Sequence, residues 1–381
     1  MDLQSIRSQI DDIDGQLVSL LVRRMEKTAE VAAYKKEQGR PVLDRTRERE
    51  ILTRVTQLAG DGNEVYAKIL FSMLFDLSRS YQNRILQTGG KLAGEISKAL
   101  ADTPMLFPAK ATVACQGIEG AYSQLACDRL FSLPSIVYFR HFEGVFQAVQ
   151  NGLCQYGILP IENSSYGSVT KVYDLMKKYD FKIARSIKLL ISHTLLAKPG
   201  TKMDSVREIF SHEQAIGQCS EFLRRHKEMK VTVCENTAVA AKLVAESGRD
   251  DVAAISSANC AELYGLTTLD DAVQNNEFNT TRFICISKSL EVYPGADRIS
   301  LMLTLPHRPG SLYEMIAKFS ALGLNLTKLE SRPISGKDFE FMFYFDFEAS
   351  LYSEDVIRLL SDLESGPDTF AFLGSYSEIR G

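Results

Sequence analysis

The sequence has no tryptophan, only five histidines and only seven cysteines in 381 residues, and none of these scarce side chains forms a pattern that holds a metal or a disulfide framework. The cysteines, at 115, 127, 154, 219, 234, 260 and 285, are odd in number and never spaced Cys-x-x-Cys. They read as small buried hydrophobes of a reducing, cytoplasmic protein. The histidines, at 141, 193, 212, 226 and 307, lack ligand spacing, so no metal site is expected. Long apolar runs are missing as well. No window approaches about eighteen uninterrupted apolar residues, and Met1-Asp2-Leu3-Gln4-Ser5-Ile6-Arg7 has no basic stretch leading into an apolar one, so neither a membrane protein nor an exported one is expected. Charge of one sign is not in excess. With 44 Lys+Arg against 48 Asp+Glu, a formal net charge of -4, there is no global basic field for nucleic acid or an anionic membrane, and any anion must be bound locally.

The length suits two or three domains, and three stretches differ in grammar. Residues 1–90 carry helical periodicity with few turn residues. The first helix should end at Gly39-Arg40-Pro41, a second should run from about Asp44 to Leu58, and Gly60-Asp61-Gly62-Asn63 should separate it from a third beginning near Glu64. Residues 91–110, with Gly94, Pro104 and Pro108, read as a linker holding one short helix at most. Over residues 111–288 short apolar runs such as Tyr156-Gly157-Ile158-Leu159 and Val252-Ala253-Ala254-Ile255 alternate with helical stretches, the signature of an α/β domain. Residues 298–381 follow the order βαββαβ of a ferredoxin-like module, with Ser311 and Glu314 at capping-box spacing.

The first module puts charges where its core should be. The ladder Ile6, Ile10, Ile13, Leu17, Leu21 continues by threes and fours onto Arg24, Thr28, Val31 and Lys35. In the second helix Ile51, Val55 and Leu58 lead back to Asp44, Arg47 and Glu48, and in the third the apolar series runs into Ser78 and Gln82. Taken singly, Arg24 and Lys35 could extend to water, Asp44 could cap its helix and Arg47 could pair with a surface carboxylate. Taken together, several buried cations need more anions than Asp44 and Glu48 provide, and a small dianionic ligand resolves the imbalance. Arg7 lies roughly 25 Å along the helix from Arg24 and points about 100° away. If Arg7 serves the site, it serves one in a second subunit, which implies a dimer.

The series Ile6-Arg7, Asp14, Arg24, Lys35, Arg40-Pro41-Val42, Asp44, Arg47-Glu48-Arg49 and Ser78 to Gln82 resembles the helical chorismate mutase family over the whole module. The resemblance implies an intertwined dimer. Arg24 and the other subunit's Arg7 would then meet the substrate carboxylates, Lys35 and Gln82 the ether oxygen and Glu48 the ring hydroxyl, with Asp44, Arg47 and Ser78 completing the pocket. The rearrangement of chorismate to prephenate is unimolecular and pericyclic. It needs a held conformer and stabilised charge on the ether oxygen, with no nucleophile.

In the middle stretch, a polar cluster, Glu162-Asn163-Ser164-Ser165-Tyr166-Gly167-Ser168, directly follows an apolar strand, and strand ends are where α/β domains place ligands. Ser211-His212-Glu213-Gln214 with Gln218, and Asn279-Thr280-Thr281-Arg282-Phe283, are two further polar groups that on their own could be caps or turns. The glycines of Gln116-Gly117-Ile118-Glu119-Gly120 fit an ordinary βα turn and lack a dinucleotide fingerprint. Together, Pro-Ile-Glu-Asn-Ser-Ser and Thr-Arg-Phe resemble prephenate dehydratase, which implies a two-lobed domain similar to type II periplasmic binding proteins. Thr281 becomes the principal catalytic candidate, with Glu162, Asn163, Ser164, Gln218 and Arg282 lining the cleft. Loss of carbon dioxide and the ring hydroxyl together aromatises the product, so the protein's task is to assist the departing hydroxyl and position the carboxylate. His212 is assigned a structural role, and Glu213 stands where the family often has proline.

The final module resembles an ACT regulatory domain of the phenylalanine-sensing kind, through Arg308-Pro309-Gly310-Ser311-Leu312 and Leu329-Glu330-Ser331-Arg332-Pro333. Pro309, Gly310, Ser311, Leu312, Glu330 and Ser331 would then bind L-phenylalanine; without an effector the same residues would simply make a capped helix. The whole pattern implies a bifunctional, cofactor-free enzyme of phenylalanine biosynthesis, at least a homodimer, acting on chorismate and then prephenate under feedback inhibition. An arogenate dehydratase is the alternative within enzymes, and a non-catalytic ACT-containing sensor the alternative outside them.

Overall fold

The computed structural model describes residues 2–86, 90–271, 273–276, 278–334, 340–365, 367 and 369–380. Thr88 and Gly89, where the first stretch gives way to the linker, and Phe339, where a strand of the last module is expected to begin, lie outside the described residues.

The N-terminal unit comprises α1 (Leu3–Glu37), α2 (Arg45–Ala59) and α3 (Glu64–Leu86). Gly39 takes φ +62° just beyond α1, a left-handed conformation that glycine adopts without a Cβ penalty. Helix α1 is far longer than the surface its own chain covers. Only Thr28 and Ala32 are buried along it, while Leu3, Ile6, Ile10, Ile13 and Leu17 remain exposed.

Residues 91–110 are not a plain linker. They contain α4 (Lys91–Asp102), whose Leu92, Ile96 and Ala99 are buried in one core with Leu359, Leu360 and Leu363 near the chain's end. The spacing of four and three makes an apolar stripe despite Gly94, whose absent side chain faces open space.

The α/β region has two lobes, each built on its own sheet. Its strands are β1 (Lys110–Gln116), β2 (Leu133–Phe139), β3 (Tyr156–Asn163), β4 (Gly167–Ser168), β5 (Lys182–Leu190), β6 (Thr194–Ala197), β7 (Glu208–His212), β8 (Lys230–Cys234), β9 (Val252–Ser256), β10 (Thr267–Asp270) and β11 (Thr280–Ser287). Its helices are α5 (Tyr122–Leu130), α6 (Phe142–Gln150), α7 (Thr170–Tyr179), α8 (Glu213–Gln218), α9 (Ser220–Arg225), α10 (Thr237–Glu246) and α11 (Asn259–Tyr264). The chain leaves the first lobe after β5, builds the sheet β10-β6-β9-β7-β8, and returns to the first lobe at β11. β11 lies antiparallel between β3 and β5. At Gly157 in β3 a Cβ would come within 2.6 Å of Val145 Cγ1, so glycine is what lets α6 close on the sheet.

The C-terminal unit follows with β12 (Arg298–Thr304), α12 (Ser311–Ala321), β13 (Asn325–Pro333), β14 (Phe341–Glu348), α13 (Glu354–Ser365) and β15 (Phe370–Tyr376), its sheet ordered β13-β14-β12-β15. Strand alternation divides that sheet. Leu301, Leu303, Phe345 and Phe347 face α4, α12 and α13, while Met302, Met342 and Tyr344 join the core of the first lobe. A last strand, β16 (Glu378–Arg380), unforeseen from the sequence, pairs parallel with β5 and ties the chain's end into the first lobe's sheet. The capping box expected at Ser311 does not form. Gly310, at φ +91°, is the N-cap, and Glu314 pairs with Arg308 at 2.7 Å. One residue of helix register decides this, because Ser311 is already helical.

Candidate active sites

Helices α1, α2 and α3 enclose a pocket of about 270 Å³ lined by Arg24, Lys35, Asp44, Arg47, Glu48, Ser78 and Gln82, seven of the eight residues expected there. Arg7, the eighth, does not line it, as its distance along α1 requires. Arg24 Nη1 donates to Ser78 Oγ at 2.5 Å and to the Leu74 carbonyl at 3.2 Å, and burial lowers the pKa of its guanidinium. Lys35 Nζ donates to the Val42 carbonyl at 2.5 Å, which folds the connection after α1 over the pocket. Asp44 Oδ1 accepts from the Arg47 N–H at 3.0 Å and so caps α2, while the Arg47 side chain reaches Glu50 at 3.3 Å. The capping and surface-pairing roles open to those two residues are therefore present, alongside their place on the pocket wall. Gln82 is buried, its Nε2 donating to the Ser78 carbonyl at 3.3 Å, and its Oε1 has no partner among the described residues.

Arg79 was not anticipated. It forms ion pairs with both Glu48 and Asp76 and lines the pocket. Glu48 and Arg79 also line a second cavity, of about 1020 Å³, whose far wall carries Arg308, Ser311 and Glu314 of the C-terminal unit. Sequence periodicity places Arg79 beside Ser78 and gives no sign of these partners.

The second site lies at the ends of β3 and β11. Thr281 pairs with Asn163 in register, and Asn163 Nδ2 donates to Thr281 Oγ1 at 2.9 Å and to Asn279 Oδ1 at 2.9 Å. Asn163 Oδ1 accepts the N–H groups of Ser165 and Tyr166 at 2.9 and 3.0 Å, so a turn holds the amide in place. Ser164 Oγ accepts the Thr280 N–H at 2.9 Å and stitches the two strand ends together. Because Thr281 Oγ1 accepts from Asn163, its own O–H remains available to donate. From the same turn, Tyr166 O–H donates to the Gln214 carbonyl of the second lobe at 3.3 Å. His212 Nδ1 accepts the Gln214 N–H at 3.3 Å and caps α8, the structural role expected of it.

Glu162 and Arg282 are the strand neighbours of Asn163 and Thr281. Their charged groups turn to the C-terminal sheet: Arg282 Nη2 lies 2.7 Å from Asp346 and 3.3 Å from Glu162, and Glu162 lies 2.8 Å from Lys328. Burial works against the Arg282 charge, and Asp346 and Glu162 outweigh it and hold the guanidinium protonated. Alternation along a strand sends adjacent side chains to opposite faces, so Asn163 with Thr281 and Glu162 with Arg282 cannot share one. Gln218 Oε1 lies 2.7 Å from Nε2 of His193, a buried residue that the sequence reading left without a role.

Of the expected effector residues, Glu330 accepts from Ser168 Oγ of the first lobe at 2.5 Å and from Arg332 Nε at 2.7 Å. Leu312 packs on the helical side of the C-terminal sheet. Pro309 and Gly310 form the turn into α12, buried Ser311 has no partner for Oγ among the described residues, and Ser331 pairs with Phe343 across the sheet.

A charged pocket inside a helical unit, and a polar cluster at the strand ends of a two-lobed α/β region, mark a multidomain protein with two candidate sites. The chain matches the family model described as chorismate mutase type II over residues 6–83 and that described as prephenate dehydratase over residues 113–291. It is 32% identical over 384 residues to the bifunctional chorismate mutase/prephenate dehydratase of Escherichia coli (strain K12), covering 98% of this chain and 96% of that one. It is 34% identical over 310 residues to arogenate dehydratase/prephenate dehydratase 2, chloroplastic, of Arabidopsis thaliana, covering 74% and 81%. The solved structure of prephenate dehydratase in complex with L-Phe from Arthrobacter aurescens aligns with a TM-score of 0.63 at 27% identity, covering 70% of this chain and 89% of that one. The chain belongs to the bifunctional chorismate mutase/prephenate dehydratase family. The expectation of a two-activity enzyme of phenylalanine biosynthesis is met.

Proposed function

We propose that the helical unit rearranges chorismate to prephenate and that the cleft between the α/β lobes turns prephenate into phenylpyruvate, with the C-terminal unit as an ACT domain that senses L-phenylalanine. Domain limits of 1–90, 111–288 and 298–381 serve this reading, with α4 packed on the sensor. The mutase assignment is supported by the convergence of Arg24, Lys35, Glu48 and Gln82 on one pocket. Arg24 holds a substrate carboxylate, Lys35 and Gln82 meet the ether oxygen as its charge grows, and Glu48 accepts from the ring hydroxyl. The uncovered apolar ladder of α1 supports a homodimer in which the second copy covers Ile6, Ile10 and Ile13 and supplies its own Arg7.

In the cleft, one observation carries the reading: the 2.9 Å bond from Asn163 Nδ2 to Thr281 Oγ1. It fixes the threonine oxygen as acceptor and leaves its proton to donate to the departing hydroxyl, while the Gln218 amide binds the anionic substrate. Two sheets joined by two crossovers support a likeness to type II periplasmic binding proteins. Bound L-Phe in the solved Arthrobacter aurescens dehydratase supports the effector's identity, and the βαββαβ order with strand order β13-β14-β12-β15 supports the ACT fold. Thr281→Ala tests the cleft. Dehydratase turnover with prephenate should be abolished and mutase turnover unchanged, and full dehydratase activity would sink the assignment. Assaying arogenate beside prephenate tests the second substrate that the Arabidopsis relative's name raises.

A further inference from the structure

His193 sits where the chain crosses from β5 in the first lobe to β6 in the second. Its N–H donates to Gln274 Oε1 at 2.5 Å and its carbonyl accepts the Val273 N–H at 3.3 Å, so one crossover is bonded to the other. The Gln218 carbonyl accepts the Asn275 N–H at 2.7 Å, which ties the end of α8 to the same returning crossover. Two residues before His193, the Ile191 N–H donates to the Asn279 carbonyl at 2.7 Å, and the Asn279 side chain accepts from Asn163. The imidazole is thus anchored beside the cleft that holds Thr281.

The ring's hydrogen bonding sets the orientation of the Gln218 amide. His193 is 2% exposed, Nε2 lies 2.7 Å from Gln218, and Nδ1 is buried with no partner among the described residues. A buried N–H without an acceptor costs more than a buried lone pair, so Nδ1 is bare and Nε2 carries the proton. Burial chiefly, with a smaller contribution from the nearby His212, lowers the pKa of His193 against the Gln218 hydrogen bond, which raises it. A protonated Nε2 demands the Gln218 oxygen, which turns the amide N–H pair away from the ring. That pair has no hydrogen bond to another described residue, and Gln218 is only half-buried.

We propose that His193 is a positioning residue of the dehydratase, holding the Gln218 amide with its N–H groups presented to the carboxylate-bearing substrate. The proposal rests on the cleft being the dehydratase site. Without the ring, the terminal amide can rotate and present its oxygen to an anion, because such sp³–sp² torsions are broad and roughly two-fold.

The test uses the full chain and prephenate. His193→Leu and the shorter, polar His193→Asn both remove the bond and should raise KM about tenfold with a smaller change in kcat. His193→Gln, which returns an N–H at similar reach, should restore KM to within about twofold. Gln218→Ala should match His193→Leu, and combining the two should add nothing further. A wild-type KM in a folded His193→Asn chain, an unrescued His193→Gln, or multiplicative effects in the double variant would overturn the proposal. Failure of the cleft reading is distinguishable, because Thr281→Ala would then keep its dehydratase activity.

Discussion

Gln82 shows how one side chain sets a pH profile. It is buried in the mutase pocket and carries no ionisable proton, so its donation to a developing oxyanion does not depend on pH. Mutase kcat should hold steady from acidic to neutral pH. Gln82→Glu should retain activity only where the new carboxyl is protonated and lose most of it as pH rises above about 5; a flat profile for the variant would show that position 82 does not face the reacting oxygen. At the second site a similar economy operates. Thr281 is a weak acid, and Asn163 contributes by occupying the acceptor side of its hydroxyl, which leaves the proton free for substrate.

At the scale of elements, β11 is shared between two neighbourhoods. One of its faces brings Thr281 to Asn163, and the other brings Arg282 to Asp346 of the C-terminal sheet. The two sheets approach closely at Gly374, where φ is +140° and a Cβ would stand 2.5 Å from the Ile183 carbonyl oxygen of β5. No flexible side chain can yield there, since the obstacle is backbone. Gly374→Ala should therefore destabilise the chain by about 2–4 kcal/mol, read as a lowered thermal midpoint. An unchanged midpoint would mean that the sheets can separate at no cost. Helix α4 packs on the other face of the C-terminal sheet. Its stripe of Leu92, Ile96 and Ala99 meets partners in α13 that lie more than 250 residues later in the chain.

At the scale of the whole molecule, the proposed dimer is testable through Arg7, which lies away from the pocket of its own chain on a helix with an exposed apolar ladder. Arg7→Ala and Arg24→Ala chains should each be inactive as mutases. Unfolded together and refolded as a mixture, they should regain roughly a quarter of wild-type activity, because half the dimers are mixed and each mixed dimer has one intact site. No recovery would place Arg7 outside the site. Dehydratase activity in the same samples should stay constant, since its residues come from one chain.

The sequence by itself singled out eight residues of the helical unit, seven of which line one pocket, because helical periodicity is local and charges in core register converge wherever the helices pack. It also determined the order of units and the stretches that carry the dehydratase. Which of those residues meet in the cleft was decided by tertiary structure. Both faces of β3 and β11 are covered, so burial along Tyr156–Asn163 or Thr280–Ser287 does not reveal which parity faces substrate and which faces the C-terminal sheet. The ion pairs of Glu162 and Arg282 with the C-terminal sheet were not legible for that reason. His193, Arg79 and α4 escaped for a related one: each acts through a partner far away in sequence, and only the folded chain brings the two together.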